Sequence, residues 1–172
     1  MTLKKSLKAV SWLLIIVLIA ITILLIGVRV VGFQVFTVLS PSMEPTYPVG
    51  SLVYVSESAK DEIKVGTPIT FKLGDDIIAT HRVVKVLKDK DDPSKECYRT
   101  KGDNNDIVDG PITKEDDVIG VAKFSIPGLG YLAEFIKQPP GTYFAILIGL
   151  AIIVFAFIPD LLADKKVKKK RE

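Results

Sequence analysis

Two long apolar runs, one near each end of the sequence, dominate its hydropathy pattern. Residues 9–28 are 20 positions without a charged side chain, and residues 142–158 are a second such run of 17. An α-helix needs about 20 mostly apolar residues to cross the hydrocarbon core of a bilayer, and roughly 17 is the short limit. Each run is therefore predicted to be a transmembrane helix. The alternatives are a cleaved signal peptide for the first run and a buried core helix for the second.

Basic residues beside these runs predict the orientation of the chain. Lysines precede the first run and six more basic residues follow the second: Lys4, Lys5 and Lys8, then Lys165, Lys166, Lys168, Lys169, Lys170 and Arg171. Because basic flanks stay in the cytoplasm, both termini are expected there, in a cell-membrane protein with two spans. The predicted organisation is a cytoplasmic flank and anchor (1–30), an extracytoplasmic β-domain (31–139), a second transmembrane helix (140–159) and a basic cytoplasmic tail (160–172).

Between the two apolar runs, short β-branched stretches are separated by turn residues. Five stretches have strand character: residues 50–57, 67–74, 76–89, 95–103 and 117–126. Most are bounded by Gly, Pro, Asp or Asn, as strands usually are. No long segment here has the apolar periodicity of a helix, although residues 126–137 read as a short amphipathic piece before the second run. The expected fold class is mainly β: a compact antiparallel β-domain between two transmembrane helices.

The overall charge of +3 conceals an uneven distribution. Residues 30–140 contain 13 Lys and Arg against 17 Asp and Glu, a net charge of −4, so the basic residues are concentrated in the flanks. Such flanks favour anionic lipid head groups over nucleic acid as their partner. Cys97 is the only cysteine, so no intrachain disulfide is possible. Without a cluster of Cys and His, no metal or other cofactor is expected.

Side chains with candidate chemistry lie at three places in the middle segment, and the first is His81. It is the only histidine, in a predicted strand where alternation from Ile77 puts positions 77, 79, 81, 83 and 85 on one face. Histidine is the natural general base at neutral pH. A lone histidine in a domain of this size more often has a structural or surface role, so the pattern alone leaves both interpretations open.

The second place is KGDNNDIVDG, residues 101–110, which contains Asp103, Asp106 and Asp109. Gly, Asp and Asn are typical turn residues, so a plain turn, a catalytic loop and a cation site are all consistent with it. An EF-hand loop needs acids at alternating positions, a central glycine and a terminal glutamate. That pattern is absent.

The third place is FTVLSPSMEPTYPVG, residues 36–50, where an apolar run typical of a strand end gives way to two serines and three prolines. It is either a plain turn or a rigid backbone that presents a nucleophile. Serine is a poor nucleophile unless a base takes its proton and a third group fixes the tautomer of that base. Ser42, His81 and an aspartate within 103–109 supply one of each, but spacing alone does not show that they meet.

Four segments resemble the sequence boxes of type I signal peptidases, membrane enzymes that remove signal peptides from exported proteins. SPSMEPTYPVGSLVYV (40–55) resembles the serine box and GTPITFKL (66–73) the short strand after it. THRVVKV (80–86) resembles the histidine box and TKGDNNDIVDG (100–110) the acidic box. They occur in the family's order after an N-terminal anchor. Histidine, where the usual bacterial enzymes have lysine, is similar to the archaeal and endoplasmic-reticulum branch, which also occurs in some Gram-positive bacteria.

The resemblance implies a role for the matching side chains. Ser42 aligns with the nucleophile and His81 with the general base. Asp109 aligns with the acid that orients the base, and Asp103 with a second important acid in the same box. Asp106 falls at a variable position and is given no role.

The resemblance also implies where the oxyanion would be held. In bacterial relatives a serine at the position of Ser40 contributes its hydroxyl to the oxyanion hole. Pro41 replaces the commoner glycine and removes one backbone N–H, which leaves the Ser42 N–H and the Ser40 hydroxyl as the expected donors.

Substrate and partners follow from the same resemblance. The family cleaves after small side chains at positions −1 and −3, and Val38, Leu39 and Met43 either line shallow pockets for them or belong to the core. Met43, Phe36 and Tyr47 are candidates for an apolar surface that enters the bilayer. The expected activity is that of a membrane-bound serine endopeptidase that cleaves signal peptides from preproteins through an acyl-enzyme. Expected partners are those signal peptides, the lipid bilayer and, as a further candidate, the protein-export translocon, with no nucleic acid.

Two other functions stay open at this point. A membrane-anchored, non-catalytic β-domain that binds a partner or an envelope polymer would have the same composition. A processing protease with narrower substrates, such as the precursors of pilins or matrix proteins, would have the same site residues.

Overall fold

The computed structural model describes residues 2–25, 27–57, 62–74 and 77–168. Lys169, Lys170 and Arg171 of the predicted basic tail lie outside the described residues. The chain divides into two compact units, one formed by residues 28–134 and the other by residues up to 27 together with those from 135 onward.

The described residues of the first unit form one antiparallel sheet of seven strands. The strands are β1 (Phe33–Thr37), β2 (Leu52–Ser56), β3 (Pro68–Lys72), β4 (Ile78–Lys88), β5 (Glu96–Lys101), β6 (Thr113–Lys114) and β7 (Val118–Ile126). Their order across the sheet is β1-β2-β7-β3-β4-β5-β6, and every neighbouring pair is antiparallel. The mainly β prediction is confirmed, and each of the five predicted stretches contains a strand. The two-residue β6 is too short to leave a pattern in the sequence.

Two apolar clusters form the core of this unit. The first contains Ile63, Ile69, Phe71, Val83, Tyr98, Val118 and Val121. The second contains Met43, Tyr47, Val53, Val55 and Ala122. Fully burying one such side chain contributes roughly 1.5–3 kcal/mol to stability, so the two clusters fix the strands that carry the polar side chains described below.

Strand β4 departs from the strict alternation expected of it. Its pairing with β5 slips between Val83 and Lys85, which marks an irregularity of the β-bulge type. Ala79 and Val83 face the first core cluster as the alternation predicts, but beyond the slip it is Val86 that packs there and Lys85 that is exposed. The placement of residue 85 on the face of His81 was therefore wrong, because an extra residue in one strand moves every later side chain to the other face.

The second unit is helical. Helix α1 spans Thr2–Leu25 and helix α3 spans Gly141–Lys168, and the two contact each other. Helix α2 (Leu129–Lys137) begins in the sheet unit and corresponds to the amphipathic piece predicted over residues 126–137.

A membrane span requires a helix that is both long enough and apolar enough. No single helix among the described residues meets both criteria, and Lys8–Leu24 is an apolar helical stretch of shorter length. Helix α2 and the Gly141–Ala156 part of α3 meet the criteria only when they are taken together, across a bent break.

Candidate active site

Ser42 lies on a short 3₁₀ turn, Pro41–Met43, that follows strand β1. Proline fixes its own backbone angle and suits the first position of such a turn, where its missing N–H is not needed. Two backbone hydrogen bonds close the segment, from the Glu44 N–H to the Pro41 carbonyl (3.0 Å) and from the Tyr47 N–H to the Met43 carbonyl (2.9 Å). Met43 and Tyr47 are 2% and 5% exposed. The turn is thus anchored in the core by two residues that follow its partly exposed hydroxyl.

Met43 and Tyr47 do not have the exposure that a membrane-contacting surface needs. Both belong to the second core cluster, and the Tyr47 hydroxyl donates a hydrogen bond to the Ala122 carbonyl (3.2 Å). Burial raises the pKa of the Tyr47 hydroxyl above its usual value. The expectation that these two side chains enter the bilayer was wrong, because the polar turn around them folds onto the sheet and covers them.

His81 lies on strand β4 and meets Ser42 through one ring nitrogen. The distance from His81 Nε2 to Ser42 Oγ is 3.1 Å, within hydrogen-bond reach. Ile69, on the neighbouring strand β3, is the pairing partner of His81 in the sheet. Phe71, on the same strand, packs edge-on against the imidazole, with ring centroids 6.2 Å apart. The imidazole is only 15% exposed, so apolar neighbours hold it beside the hydroxyl.

The other ring nitrogen of His81 meets Asp109. His81 Nδ1 lies 2.6 Å from Asp109 Oδ2, and the carboxylate is 19% exposed. An ionised carboxylate can only accept hydrogen bonds, so Nδ1 must carry the proton in this contact. Nε2 is then left with its lone pair toward the Ser42 hydroxyl, which is the tautomer a general base requires.

Thr100 holds Asp109 at two points. The Asp109 N–H donates to the Thr100 carbonyl (2.9 Å), and the Thr100 hydroxyl donates to Asp109 Oδ2 (2.6 Å). Thr100 lies on strand β5 and is fully buried. The sequence did not single it out, because one threonine in a strand is an ordinary sheet residue; its place directly before the Lys-Gly-Asp stretch was the available signal.

Asp103, the other acid of the loop, binds Arg82 instead of His81. Arg82 donates from Nε to Asp103 Oδ1 (2.8 Å) and from Nη2 to Asp103 Oδ2 (2.6 Å), and Thr46 donates to Oδ2 as well (2.6 Å). Arg82 also donates from Nη1 to the Gly66 carbonyl (2.7 Å). The hydrogen bonds from Arg82 hold the pKa of Asp103 below its ordinary value of 3.8. Sequence reasoning missed both Arg82 and Thr46, although Arg82 directly follows the histidine.

The acidic loop also touches the backbone of the serine turn. The Asn104 N–H donates to the Ser42 carbonyl (2.9 Å). A Cβ atom on Gly102 would lie 2.6 Å from the same carbonyl oxygen, closer than real contacts allow. Residues 102–104 therefore lie directly against Ser42, and the glycine permits that approach.

The remaining residues expected at the site differ in exposure. Ser40 Oγ lies 3.2 Å from Ser42 Oγ. Leu39 is 77% exposed, whereas Val38 packs against the second core cluster. Met43, at 2% exposure, offers no open surface to a substrate in this structure. Asp106 is exposed in the same loop.

A hydroxyl, an imidazole and a carboxylate in series are typical of serine hydrolases, and comparison with known proteins narrows the class. The family described as signal peptidase, peptidase S26, matches residues 9–88, the part that carries Ser42 and His81. Human SEC11C, a signal peptidase complex catalytic subunit, is 35% identical over 121 residues, which are 66% of this chain and 62% of its own length.

Two further relatives match a similar share of the chain. Signal peptidase I W of Bacillus subtilis is 34% identical over 119 residues, 64% of this chain and 61% of its own. SEC11B of Homo sapiens is 31% identical over 124 residues, 67% of this chain and 74% of its own.

The chain belongs to the signal peptidase family, peptidase S26, and the resemblance to the branch of type I enzymes with a histidine base is confirmed. The matched region spans about three-fifths of SEC11C and of signal peptidase I W.

Proposed function

We propose that this protein is a membrane-bound serine endopeptidase that removes N-terminal signal peptides from exported preproteins. One observation carries the proposal: His81 joins the Ser42 hydroxyl at 3.1 Å to the Asp109 carboxylate at 2.6 Å. Membership of the signal peptidase family supports the reaction class. The names of the relatives, which are signal peptidases or their catalytic subunits, support the substrate class.

In the proposed reaction Ser42 Oγ attacks the carbonyl carbon at the cleavage site while His81 Nε2 takes its proton. Asp109 accepts the Nδ1–H bond and stabilises the imidazolium that forms. When the tetrahedral intermediate collapses, His81 gives the proton to the leaving amine, and the signal peptide stays bound to Ser42 as an ester. Water, with its proton taken by His81, then attacks the ester, and His81 returns that proton to Ser42 Oγ as the signal peptide leaves with a free carboxylate.

The developing oxyanion needs donors that are already in place. Pro41 has no N–H, so we assign the Ser42 N–H and the Ser40 hydroxyl to this role. The distance of 3.2 Å between Ser40 Oγ and Ser42 Oγ supports the assignment of Ser40 as the second donor. Asp103 is assigned to positioning, since its bonds to Arg82 and Thr46 tie the acidic loop to strand β4 and to the segment that carries the serine.

Membrane location fits this substrate class. A signal peptide is cut just beyond an apolar segment that lies in the bilayer, so its peptidase must work at the membrane surface. We propose that residues 9–28 and 142–158 span the membrane, that both termini are cytoplasmic and that residues 31–139 form the extracytoplasmic catalytic domain, with 160–172 as a basic tail near anionic lipid. Ser42 follows Val28 by only 14 residues, which keeps the nucleophile on a short tether.

In this proposal the residues just before the serine turn contact the side chains of the substrate. Leu39 is exposed next to Ser40, and Val38 packs against the second core cluster. We assign these two to contacts with the small substrate side chains, with Met43 as buried support beneath them. As partners we propose the preproteins themselves, the bilayer and the protein-export translocon, which delivers such substrates.

The proposal is tested with the full chain purified in detergent and a preprotein substrate. We expect the wild type to release a mature protein whose new N-terminus, read by mass spectrometry, follows small residues at −1 and −3, and Ser42→Ala to release none. Cleavage by Ser42→Ala at the wild-type rate would contradict the proposal, and absence of cleavage by the wild type would favour a non-catalytic binding domain. A survey of uncleaved N-termini after depletion separates a general signal peptidase from a protease with a few dedicated substrates.

A further inference from the structure

We infer that Thr100 is a positioning residue for the reaction proposed above, on which this inference rests: its hydroxyl fixes the Asp109 carboxylate, and through it the tautomer and orientation of His81. Thr100 touches neither the substrate nor the reacting atoms. Its effect passes through one oxygen, Asp109 Oδ2, which accepts both the Thr100 hydroxyl and His81 Nδ1, each at 2.6 Å.

The position of Asp109 in the chain explains why it needs such support. It lies in the loop after strand β5, and neither neighbouring residue is buried. The terminal torsion of an aspartate side chain is broad, so one hydrogen bond does not fix the plane of the carboxylate. A second donor that converges on the same oxygen does fix it, provided that the donor itself cannot move.

Thr100 meets that condition. Its side chain is fully buried, and it pairs with Val83 of β4, the strand that also carries His81. The Asp109 N–H donates to the Thr100 carbonyl at 2.9 Å, so the backbone and the side chain of Asp109 are both held by one core residue. The buried Thr100 hydroxyl is expected to keep its hydrogen bond to Asp109, because a buried hydroxyl without a partner destabilises the fold.

The donor and acceptor groups of Thr100, His81 and Asp109 are consistent with this role. The carboxylate only accepts, so Thr100 and His81 must both donate to it. While Thr100 holds Oδ2 in place, Nδ1–H is the favoured tautomer and Nε2 stays free for the Ser42 proton. Without the Thr100 hydroxyl the carboxylate can turn, and the imidazole can adopt the other tautomer, which cannot accept that proton.

Thr70 supplies a matched control. It is also fully buried, on strand β3, and its hydroxyl makes a 2.8 Å hydrogen bond to the Thr80 hydroxyl, a contact that involves none of Ser42, His81 and Asp109. Thr→Val removes a buried hydroxyl at either position and keeps the shape of the side chain. A purely structural role for Thr100 therefore predicts the same result for both variants.

The experiment measures kcat and KM of the full chain on a preprotein for the wild type, Thr100→Val, Thr100→Ser and Thr70→Val. We expect Thr100→Val to lower kcat about tenfold to a hundredfold, the range for one hydrogen bond to a charged group, with KM within about twofold. Thr100→Ser should recover most of kcat, and Thr70→Val should leave kcat unchanged. Equal kcat values for the two valine variants, or no recovery with serine, would overturn the inference.

A spectroscopic measurement keeps the test independent of turnover. His81 is the only histidine in the sequence, so a sample with ¹⁵N-labelled histidine reports its two ring nitrogens alone. We expect one dominant Nδ1–H tautomer in the wild type and in Thr70→Val, and a mixture in Thr100→Val. Identical ring spectra in all three would overturn the inference.

This design separates failure of the proposed function from failure of the inference about Thr100. If the wild type cleaves no preprotein, the proposed function fails, whereas the ring spectra still test the contact between Thr100 and Asp109. If Thr100→Val does not fold, Thr100→Cys replaces it, because a thiol is small but only a weak donor. The same loss of kcat relative to Thr100→Ser is then expected, and its absence overturns the inference.

Discussion

His81 Nδ1 lies 2.6 Å from Asp109 Oδ2. The loop that carries Asp109 contains a second candidate acid, Asp103, which binds Arg82 through two hydrogen bonds. Two carboxylates six residues apart in one loop therefore have different partners. One faces the imidazole beside the serine, and the other ties the loop to strand β4, so their removal should produce different kinds of defect.

Asp109→Asn should lower kcat while the protein stays folded. The amide is nearly the same size but can present an N–H to Nδ1, which favours the wrong tautomer of His81. In a serine protease of another fold the equivalent change costs about 10⁴-fold in kcat, and we expect a loss of roughly 10³–10⁴ here. The measurement is kcat on a preprotein in detergent. Asp106→Asn, at an exposed position of the same loop, is the control and should stay within about twofold of the wild type; equal activity of the two variants would argue against an orienting acid at 109.

Asp103→Asn should mainly lower stability, and in a pH-dependent way. Its hydrogen bonds to Arg82 and Thr46 are partly screened by solvent, so we expect a loss of about 1–2 kcal/mol in the free energy of unfolding near neutral pH. The pKa of Asp103 is lower in the folded protein than its ordinary value of 3.8. Its contribution is therefore fully present above that value and disappears as the pH falls through the lowered folded pKa.

Unfolding of the full chain in detergent at a series of pH values checks this expectation. The difference between wild type and Asp103→Asn should be constant above about pH 4 and shrink in more acidic buffer. A difference that grows toward acid pH would contradict the sign of the pKa change. Asp106→Asn again serves as the control and should differ little from the wild type at any pH.

Ser40→Ala should slow catalysis without removing the nucleophile. Losing one oxyanion donor costs roughly 10²–10³ in kcat in enzymes where it has been measured. We expect a loss in that range, with the remaining rate supported by the Ser42 N–H. Ser40→Thr keeps a hydroxyl and should recover part of the rate. Unchanged kcat in Ser40→Ala would exclude Ser40 from the oxyanion site.

Gly102→Ala should displace the serine turn. The new Cβ would lie 2.6 Å from the Ser42 carbonyl oxygen, a backbone atom that cannot move without shifting Ser42 itself. We expect a loss of activity together with a stability loss of about 1–3 kcal/mol, the usual range for overpacking. Gly110→Ala, in the same loop and with no atom within 4 Å of the added Cβ, is the matched control. Equal activity and stability of the two alanine variants would show that a Cβ atom at position 102 does not displace the serine turn.

The sequence predicted the sheet better than it predicted the site. Alternating β-branched runs bounded by turn residues gave five strands, because burial of one face leaves a period of two along the chain. The slip in β4 left no such mark, since Val83 and Val84 are both acceptable strand residues. Only the pairing with β5 shows which of them faces the core.

The site required information that spacing does not hold. Spacing alone does not separate Asp103 from Asp109 as the partner of His81; the resemblance aligned Asp109 with the orienting acid, and the path of the loop brings Asp109 to the imidazole. Thr46, Arg82 and Thr100 act through side-chain contacts with partners 57, 21 and 9 residues away in the chain, so by sequence they look like an ordinary turn residue and two ordinary strand residues. Met43 was left open between a substrate pocket, the core and a bilayer-facing surface, whereas the turn folds onto the core and buries it.

The central claim is that Ser42 and His81 act together on one reaction, and a double-mutant comparison tests it most directly. The rates of preprotein cleavage are measured for the wild type, Ser42→Ala, His81→Ala and the double variant, all as full chains in the same detergent. Residues that act as a unit give strongly non-additive losses. We therefore predict that each single variant loses several orders of magnitude in kcat and that the double variant is no slower than either. Losses that multiply in the double variant, or a single variant that retains wild-type activity, would contradict the account.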